Sequence, residues 1–235
     1  MSWLDELVRK WHNEPGDEPI HKALGMSPSL YTHWVERPHR FVLGIDEVGY
    51  GAWAGPLVVG AVFAPMDWHH PALMDSKDTG SEKKRADILL QLTATSSTMR
   101  YFVHRTSPEE IDHFGLFEAR NRSWRMLVGL FSEVTSDTLV VIDGNIRLSD
   151  VEHVALPSAD SFIPQVMAAS IVAKVYRDTE MMQLDGDYPQ YGFKKNKGYG
   201  GGEGHMHTKA LRKYGPCPIH RRSFKPVRDR LASSA

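Results

Sequence analysis

The stretch FVLGIDEVGYGAWAGPLVVGAVFA, residues 41–64, decides the fold. Its first apolar run, residues 41–45, predicts a buried strand, and a second, β-branched run covers residues 57–63. Between the two runs lie the acidic pair Asp46-Glu47 and the glycine turn Gly49-Tyr50-Gly51. Two strands joined by a short glycine turn predict a hairpin at the start of a sheet.

The glycine turn also matches the dinucleotide-binding fingerprint in form, as Gly49-x-Gly51-x-x-Ala54. That fingerprint needs a helix after the glycines, whose N-terminus holds a pyrophosphate. Here Gly55-Pro56 and a β-branched run follow, which favours a strand. We therefore discount a Rossmann fold. The glycines still allow the backbone to approach a phosphate or a sugar closely.

The rest of the chain alternates strands with helices. The pattern predicts a helix over 81–92 begun by Ser81, a strand over 99–106, one helix over about 108–131, a strand over 138–142 and a long helix over about 162–184. Short helices and loops follow. This order indicates an α/β domain with a mixed sheet.

Residues 1–40 differ from the rest of the chain in their prolines, charges and three tryptophans, Trp3, Trp11 and Trp34. Apolar residues between positions 4 and 11 fall at helical spacing and predict a short amphipathic helix. We predict an N-terminal extension over 1–40 and one catalytic domain over 41–235. An interaction module built on the tryptophans is an alternative function for this part.

The formal net charge of −1 conceals a strong asymmetry. Residues 191–235 contain eleven basic and two acidic side chains, a net charge of +9, so the remaining chain carries −10. A basic segment from about 191 can attract the phosphates of a nucleic acid. It can equally be a solvated, lysine-rich surface, and charge alone does not decide between the two.

Cysteine content and hydropathy bear on where the protein works. The only cysteine, Cys217, excludes an intrachain disulfide and agrees with a reducing cytoplasm, where we expect the protein. No stretch approaches the roughly 20 apolar residues of a membrane helix, so we expect no membrane association.

Four acidic residues have positions typical of a site. Asp46 and Glu47 end the first strand, Asp143 ends the strand over 138–142, and Asp178 lies on a polar stripe of the long helix. Strand ends of α/β sheets are common places for ligands and catalysis. Taken singly, an Asp-Gly pair is often only a turn, and an acid on a helix usually lies on the surface. Periodicity alone leaves their convergence open.

A cluster of carboxylates has one obvious physical use. Crowded carboxylates repel one another, and a divalent cation removes that penalty. Oxygen ligands favour Mg²⁺ or Mn²⁺, and two such ions can stabilise the attacking and leaving oxygens of a phosphodiester. One cysteine and no His-Glu-x-x-His motif leave little for zinc.

Seven blocks of the sequence, in order, resemble ribonuclease HII over about residues 41–227. They are Gly44-Ile45-Asp46-Glu47-Val48-Gly49-Tyr50-Gly51 with Ala54-Gly55-Pro56; Asp75-Ser76-Lys77 with Ser81-Glu82-Lys83-Lys84-Arg85; Asp143-Gly144-Asn145; Ala168–Val175 with Arg177-Asp178; Tyr188-Pro189 with Tyr191-Gly192-Phe193; Lys197-Gly198-Tyr199; and Tyr214-Gly215-Pro216 with His220-Arg221-Arg222-Ser223-Phe224.

The resemblance implies a ribonuclease H-like fold, a mixed five-stranded sheet flanked by helices, with a C-terminal helical segment. It implies an endonuclease that hydrolyses the RNA strand of RNA–DNA hybrids, incises duplex DNA at embedded ribonucleotides, and leaves 5′-phosphate and 3′-hydroxyl ends. In that family the four acids bind two divalent ions, here expected to be Mg²⁺ or Mn²⁺ on Asp46, Glu47, Asp143 and Asp178. A diverged binder that has lost catalysis is the alternative.

The resemblance also implies substrate-contacting residues: Gly49, Tyr50, Gly51, Lys77, Asn145, Tyr214 and Arg221. Tyr214 is the better match for the tyrosine that stacks on the junction sugar, and Tyr199 the weaker one. The family turn usually reads Gly-Arg-Gly, so Tyr50 is a departure that bears on junction recognition. A further departure is about three extra residues within 200–206. Among the basic side chains, we expect Lys195, Lys197, Arg221 and Arg222 to contact phosphates.

Overall fold

The computed structural model describes residues 40–74, 81–131, 137–145 and 148–233. Within them, five strands form one sheet: Phe41–Val48 (β1), Leu57–Pro65 (β2), Arg100–Thr106 (β3), Thr138–Asp143 (β4) and Val154–Leu156 (β5). The strand order is β3-β2-β1-β4-β5, and β1–β4 and β4–β5 pair in parallel. The predicted mixed five-stranded sheet with flanking helices is confirmed.

The helices of the described residues are Pro71–Met74 (α1), Glu82–Thr95 (α2), Pro108–Phe114 (α3), Leu116–Leu130 (α4), Pro164–Asp187 (α5), Phe193–Asn196 (α6), Met206–Tyr214 (α7) and Lys225–Ala232 (α8). Short 3₁₀ turns cover Ala159–Ser161 and Pro189–Tyr191. None of these helices is both long enough and apolar enough to cross a membrane.

Local sequence signals account for the start of α2 and for both ends of α3. Ser81 caps α2 by accepting a hydrogen bond from the Lys84 amide at 3.2 Å. Ser107 and Glu110 form a reciprocal capping box on α3. The single helix predicted over about 108–131 is wrong, because Gly115 adopts a φ of +79° and ends α3 before α4 begins. The strand β5 has only three residues and was not predicted.

The chain divides into two compact units. The first contains the described residues up to Asp46 and those of Gly60–Phe102 and Arg125–Val172; the second contains Glu47–Val59, Val103–Trp124 and the described part of Ala173–Ala235. The predicted boundary between residues 40 and 41 stays a prediction, because residues 1–39, with their predicted helix, lie outside the described residues.

Parallel pairing of β1 with β4 organises the first unit. Their register runs from Phe41 opposite Thr138 to Ile45 opposite Ile142. One side of these strands packs in a buried cluster of aliphatic residues: Val42, Leu139, Val141, Val154, Leu156, Ala159, Ile163 and Val166. The α5 backbone passes so close to β1 that a Cβ on Gly44 would lie 2.5 Å from the Gln165 carbonyl carbon.

The second unit is held by two smaller buried clusters. One combines Ala54, Met181, Tyr191, Phe193, Ala210 and Cys217. The other combines Leu57, Ile111 and Ala119, with Tyr50, Leu116 and Phe224 packed against it. Both clusters contain residues of the 49–57 stretch, so the glycine turn is fixed by packing on either side.

Replacing Gly44 with alanine tests the close approach of β1 and α5. The added methyl group meets backbone atoms of Gln165 and Val166, which cannot rotate away. We expect Gly44→Ala to lower the free energy of unfolding by about 1–3 kcal/mol in urea denaturation. Gly129→Ala is the control, because a Cβ there meets nothing within 4 Å, and its stability should be unchanged or slightly higher. Equal stability of the two variants would contradict the close packing.

Candidate active site

Two of the predicted catalytic acids lie at the carboxyl ends of neighbouring parallel strands. Asp46 and Asp143 directly follow Ile45 and Ile142, which are paired in the β1–β4 ladder. Asp46 is 8% exposed, and Asp143 is partly buried. Because both strands point in the same direction, their ends bring the two residues to the same edge of the sheet. This part of the predicted constellation follows from the fold itself.

The surroundings of Asp143 are unfavourable for a negative charge. Burial raises the pKa of its carboxyl group, and the nearby charge of Asp160 raises it further. Hydrogen bonds from the backbone amides of Asp160, Ala159 and Gly144 oppose this shift without cancelling it. The Oδ1 atom is buried and receives no hydrogen bond from the described residues. Such an oxygen suits a cation.

The other two predicted acids belong to the second unit. Glu47 is partly buried at the end of β1, and Asp178 is only 3% exposed on α5. Lys174, one turn earlier, donates to Asp178 Oδ1 at 3.0 Å. The predicted polar stripe on the long helix is therefore present, and its lysine and aspartate form an i, i+4 ion pair.

Within the described residues, no group of three or more histidine, cysteine, aspartate or glutamate side chains is arranged to hold a metal ion. The structure thus brings Asp46 and Asp143 to neighbouring strand ends, and the convergence of Glu47 and Asp178 with this pair stays a prediction. The donor chemistry of the four carboxylates and the buried Oδ1 of Asp143 suit a hard divalent cation.

The glycine turn is fixed by its own backbone. Gly49 has a φ of +90°, and a side chain there would collide with the guanidinium of Arg177. Its amide donates to the Tyr199 hydroxyl at 3.1 Å. The Gly49 amide is therefore bonded within the protein, and the contact of Gly49 with substrate stays a prediction. Gly51 is exposed, and a Cβ on it would meet nothing within 4 Å.

Two buried arginines hold the backbone around this turn. Arg177 donates to the carbonyls of Pro56 and Ala54 at 2.9 and 3.3 Å. Arg221 donates to the carbonyls of Gly55 and Tyr50, both at 3.0 Å. Burial, with the charge of Arg177 second, lowers the pKa of Arg221 to about 9, which still leaves it charged at neutral pH.

The expectation that Arg221 contacts nucleic acid is therefore corrected. Its side chain is fully buried, so its guanidinium fixes the turn and has no surface to offer a phosphate. Lys197 is also buried, at 7% exposure, and donates to the Lys194 carbonyl. Lys195 and Arg222 are exposed and keep the predicted role.

A chain of hydrogen bonds links the C-terminal segment to the turn. Burial is the main cause that lowers the pKa of His207 to about 4 and of His220 to about 3, so both rings are neutral at pH 7. The Cys217 amide donates to His220 Nδ1 at 3.0 Å, which places the single proton of that ring on Nε2. His220 Nε2 then donates to His207 Nε2 at 2.9 Å, and His207 Nδ1 donates to the Tyr199 carbonyl at 3.1 Å.

These bracing residues were missed by sequence reasoning as functional candidates. Arg177, His207 and His220 support the turn through Tyr199 or through backbone carbonyls. Arg177 and His220 lie next to Asp178 and Arg221 in the blocks that resemble ribonuclease HII. That neighbourhood was the only signal in the sequence that pointed to them. The partners of Arg177 lie 121 and 123 positions away, and those of the histidines lie 3 to 13 positions away across irregular segments, so spacing did not identify these residues.

The remaining predicted substrate residues have varied surroundings. Tyr214 is 52% exposed at the end of α7, whereas Tyr199 is partly buried with its hydroxyl bonded to Gly49. Asn145 is exposed directly after β4. Lys77 lies outside the described residues. Tyr214 therefore stays the better candidate for stacking on a sugar.

Comparison with known proteins agrees with these features. The ribonuclease HII family model matches residues 43–227. A ribonuclease HII of Halorhodospira halophila is 38% identical over 193 residues, 81% of this chain and 94% of that protein. The crystal structure of ribonuclease H2 from Pyrococcus horikoshii OT3 superposes with a TM-score of 0.61 at 24% identity, over 82% of this chain and 98% of that one. Bst-RNase HIII in complex with Mn²⁺ gives 0.59 at 21% identity, over 89% and 74%.

The mixed sheet and the likeness to solved structures define the chain as an α/β protein with the ribonuclease H-like fold. The chain belongs to the ribonuclease HII family, because the family model matches more than half of it and relatives at 38% identity cover most of it. It is accordingly an endoribonuclease that acts on RNA–DNA hybrids.

The raised pKa of Asp143 has a consequence for stability. The folded protein binds a proton at Asp143 more tightly than the unfolded chain, so the ionised carboxylate lowers stability at neutral pH. That loss vanishes as the pH falls below the ordinary carboxyl range. In buffer with EDTA, we expect Asp143→Asn to raise the Tm by about 2–4 °C at pH 7, with a difference that shrinks as the pH falls.

Asp150→Asn is the matched control for this measurement. Asp150 is an exposed carboxylate whose hydrogen bond with Arg125 lowers its pKa, so its ionised form does not destabilise the fold. The control should show no gain in Tm at pH 7. An Asp143→Asn protein no more stable than Asp150→Asn would show that Asp143 carries no desolvation penalty.

Proposed function

We propose that this protein incises duplex DNA at embedded ribonucleotides as well as the RNA strand of RNA–DNA hybrids, in the cytoplasm, and leaves 5′-phosphate and 3′-hydroxyl ends. We further propose that Asp46, Glu47, Asp143 and Asp178 bind its divalent metal ions, Mg²⁺ or Mn²⁺. The observation that carries the proposal is the adjacent placement of Asp46 and Asp143 at parallel strand ends, within a sequence that matches ribonuclease HII over residues 43–227.

The environment of Asp143 supports a metal-binding role. Its buried Oδ1 has no hydrogen-bond donor among the described residues, and its ionised form is disfavoured in the metal-free protein. Both features are relieved by a cation at that oxygen. The Mn²⁺ complex of Bst-RNase HIII, a protein of the same fold, agrees with this choice of ion.

Each part of the chain has a distinct task in the proposed reaction. When bound, the divalent ions would supply Lewis-acid stabilisation of the charge that develops on the phosphodiester. The four carboxylates would hold those ions. The turn at Gly51 lets the backbone approach a ribose, whose 2′-hydroxyl distinguishes RNA from DNA. Exposed Tyr214 can stack on a neighbouring sugar.

The test of the metal-site assignment is cleavage of a labelled RNA–DNA hybrid with Mg²⁺, with Mn²⁺ and with EDTA. We expect cleavage with a metal and none with EDTA. Asp143→Asn should lower the rate by at least about 100-fold, because it removes a charged ligand while keeping the shape of the side chain. The same loss is expected at Asp46, Glu47 and Asp178.

Asp150→Asn controls for the loss of a carboxylate that lies outside the proposed site, and it should cleave at the normal rate. A folded Asp143→Asn protein with a near-normal rate would remove Asp143 from the site. Clean wild-type protein that binds hybrids but cleaves none with either metal would favour the alternative, a diverged nucleic-acid binder.

The glycine turn gives a second prediction, for Gly51→Ala. Gly51 is exposed, its φ is not positive and its Cβ position is open, so the substitution should leave the Tm unchanged. If the ribose approaches the backbone here, the methyl group should slow incision of a single-ribonucleotide duplex roughly tenfold, equivalent to about 1.4 kcal/mol. Gly202→Ala, also exposed and open, is the control. Equal incision rates for the two variants would place the ribose elsewhere.

A further inference from the structure

Arg120, on α4, is a buried cation that is surrounded mainly by aromatic rings. It is 4% exposed. The centre of its guanidinium lies 5.1 Å from the ring centroid of Tyr50, 5.2 Å from that of Phe117 and 4.3 Å from that of Trp124. Its Nη2 atom donates to Asn121 Oδ1 at 3.3 Å, while its Nε is buried without a hydrogen-bond partner among the described residues.

Arg120, Arg177 and Arg221 each have one buried nitrogen without a hydrogen-bond partner among the described residues, but Arg120 forms fewer hydrogen bonds than the other two. Arg177 and Arg221 each donate to two backbone carbonyls. Arg120 forms no ion pair with a carboxylate of the described residues. Ring faces offset only part of the penalty for burying a cation, and an anion nearby would offset more. A charge in this state attracts a phosphate more strongly than a solvated one.

The ring of Tyr50 connects this charge to the glycine turn. Tyr50 is the central residue of Gly49-Tyr50-Gly51, and its ring packs with Leu57, Ile111 and Ala119, which fixes it beside the Arg120 guanidinium. The turn has no cationic side chain of its own. The Arg120 guanidinium lies 5.1 Å from the ring centroid of Tyr50 and donates to Asn121, not to a carbonyl of the turn.

We infer that Arg120 supplies, from behind Tyr50, the positive charge that attracts the substrate phosphate next to the ribose at the glycine turn. This inference rests on the proposed function. Arg120 is then a positioning residue that acts through the Tyr50 ring and through its field on an RNA–DNA phosphodiester. Its loss weakens substrate binding more than it slows the chemical step.

Arg120→Gln tests this role, with steady-state cleavage of a single-ribonucleotide duplex in Mn²⁺ as the readout. We expect KM to rise about tenfold, because the field of a cation held away from water is weakly screened, while kcat changes less than about twofold. Arg122→Gln is the matched control, because Arg122 lies on the same helix and its guanidinium is 3.8 Å from the ring centroid of Phe114. Unlike Arg120, it is exposed, and it forms an ion pair with Glu118 at 3.5 Å. Its KM should stay unchanged.

Moving the charge separates electrostatics from packing. In the double variant Tyr50→Arg with Arg120→Gln, the turn carries its own guanidinium, and KM should return to within about threefold of the wild-type value. If Arg120 only stabilises the packing, KM of the double variant should not return towards the wild-type value, because this variant loses both members of the packed pair. Tyr50→Arg alone should change the rate only modestly.

Two results would overturn the inference: Arg120→Gln with the same KM as Arg122→Gln, or a double variant no better than Arg120→Gln. If Arg120→Gln unfolds at assay temperature, Arg120→Lys decides, since it keeps the charge; a KM within about threefold of wild type supports the inference and a tenfold rise refutes it. Fluorescence anisotropy of the same duplex in EDTA compares binding without cleavage. Wild-type protein that binds the duplex but does not cleave it contradicts the proposed nuclease activity. Equal binding by the wild type and Arg120→Gln contradicts only the role of Arg120.

Discussion

The parallel pairing of β1 with β4 is the constraint on which the candidate site depends. Because Ile45 lies opposite Ile142, Asp46 and Asp143 must leave the sheet at the same edge, and neither can move without shifting a buried strand by a residue. The position of Asp143 is unfavourable for its charge, because burial and the nearby charge of Asp160 raise the pKa of its carboxyl group. The sheet holds the carboxylate in this position although the ionised form is disfavoured there, and a cation bound at the carboxylate would offset that penalty.

The conformation of the glycine turn is maintained by hydrogen bonds between side chains and its backbone groups. Arg177 and Arg221 bond the carbonyls of residues 50 to 56, and the Tyr199 hydroxyl accepts from the Gly49 amide. The His220–His207 pair holds the Tyr199 carbonyl in turn. Buried guanidinium groups without carboxylate partners are costly unless their donors are satisfied, and here backbone carbonyls accept from two nitrogens of each arginine, while Arg177 Nη1 and Arg221 Nη2 have no partner among the described residues. The turn is rigid before any substrate arrives, which reduces the entropy lost on binding.

The sequence predicted those features that depend on neighbouring residues and missed those that depend on distant ones. The apolar runs and the acids that follow them were enough to place Asp46 and Asp143 at strand ends, and the fold class followed from the order of the elements. The break between α3 and α4 at Gly115 was missed because the helical spacing of apolar residues continues across it. The strand β5 was missed because three residues are too few to show an alternating pattern. The bracing of the turn was also missed, since its bonds join residues up to 171 positions apart. The convergence of Glu47 and Asp178 with the strand-end pair stays a prediction.

Charge counted along a sequence also differs from charge available at a surface. The segment from residue 191 carries a formal +9, but Arg221 and Lys197 are buried and donate to backbone carbonyls, and Arg212 is paired with Glu203 at 2.8 Å. These side chains cannot each release a counterion from a nucleic acid, so the salt dependence of binding must be smaller than the count implies. Conversely, Arg120 lies outside the basic segment, yet its guanidinium lies 5.1 Å from the ring centroid of Tyr50 in the glycine turn. Burial and pairing therefore limit the charge that the segment can offer a phosphate, and the local density of lysine and arginine does not reveal that limit.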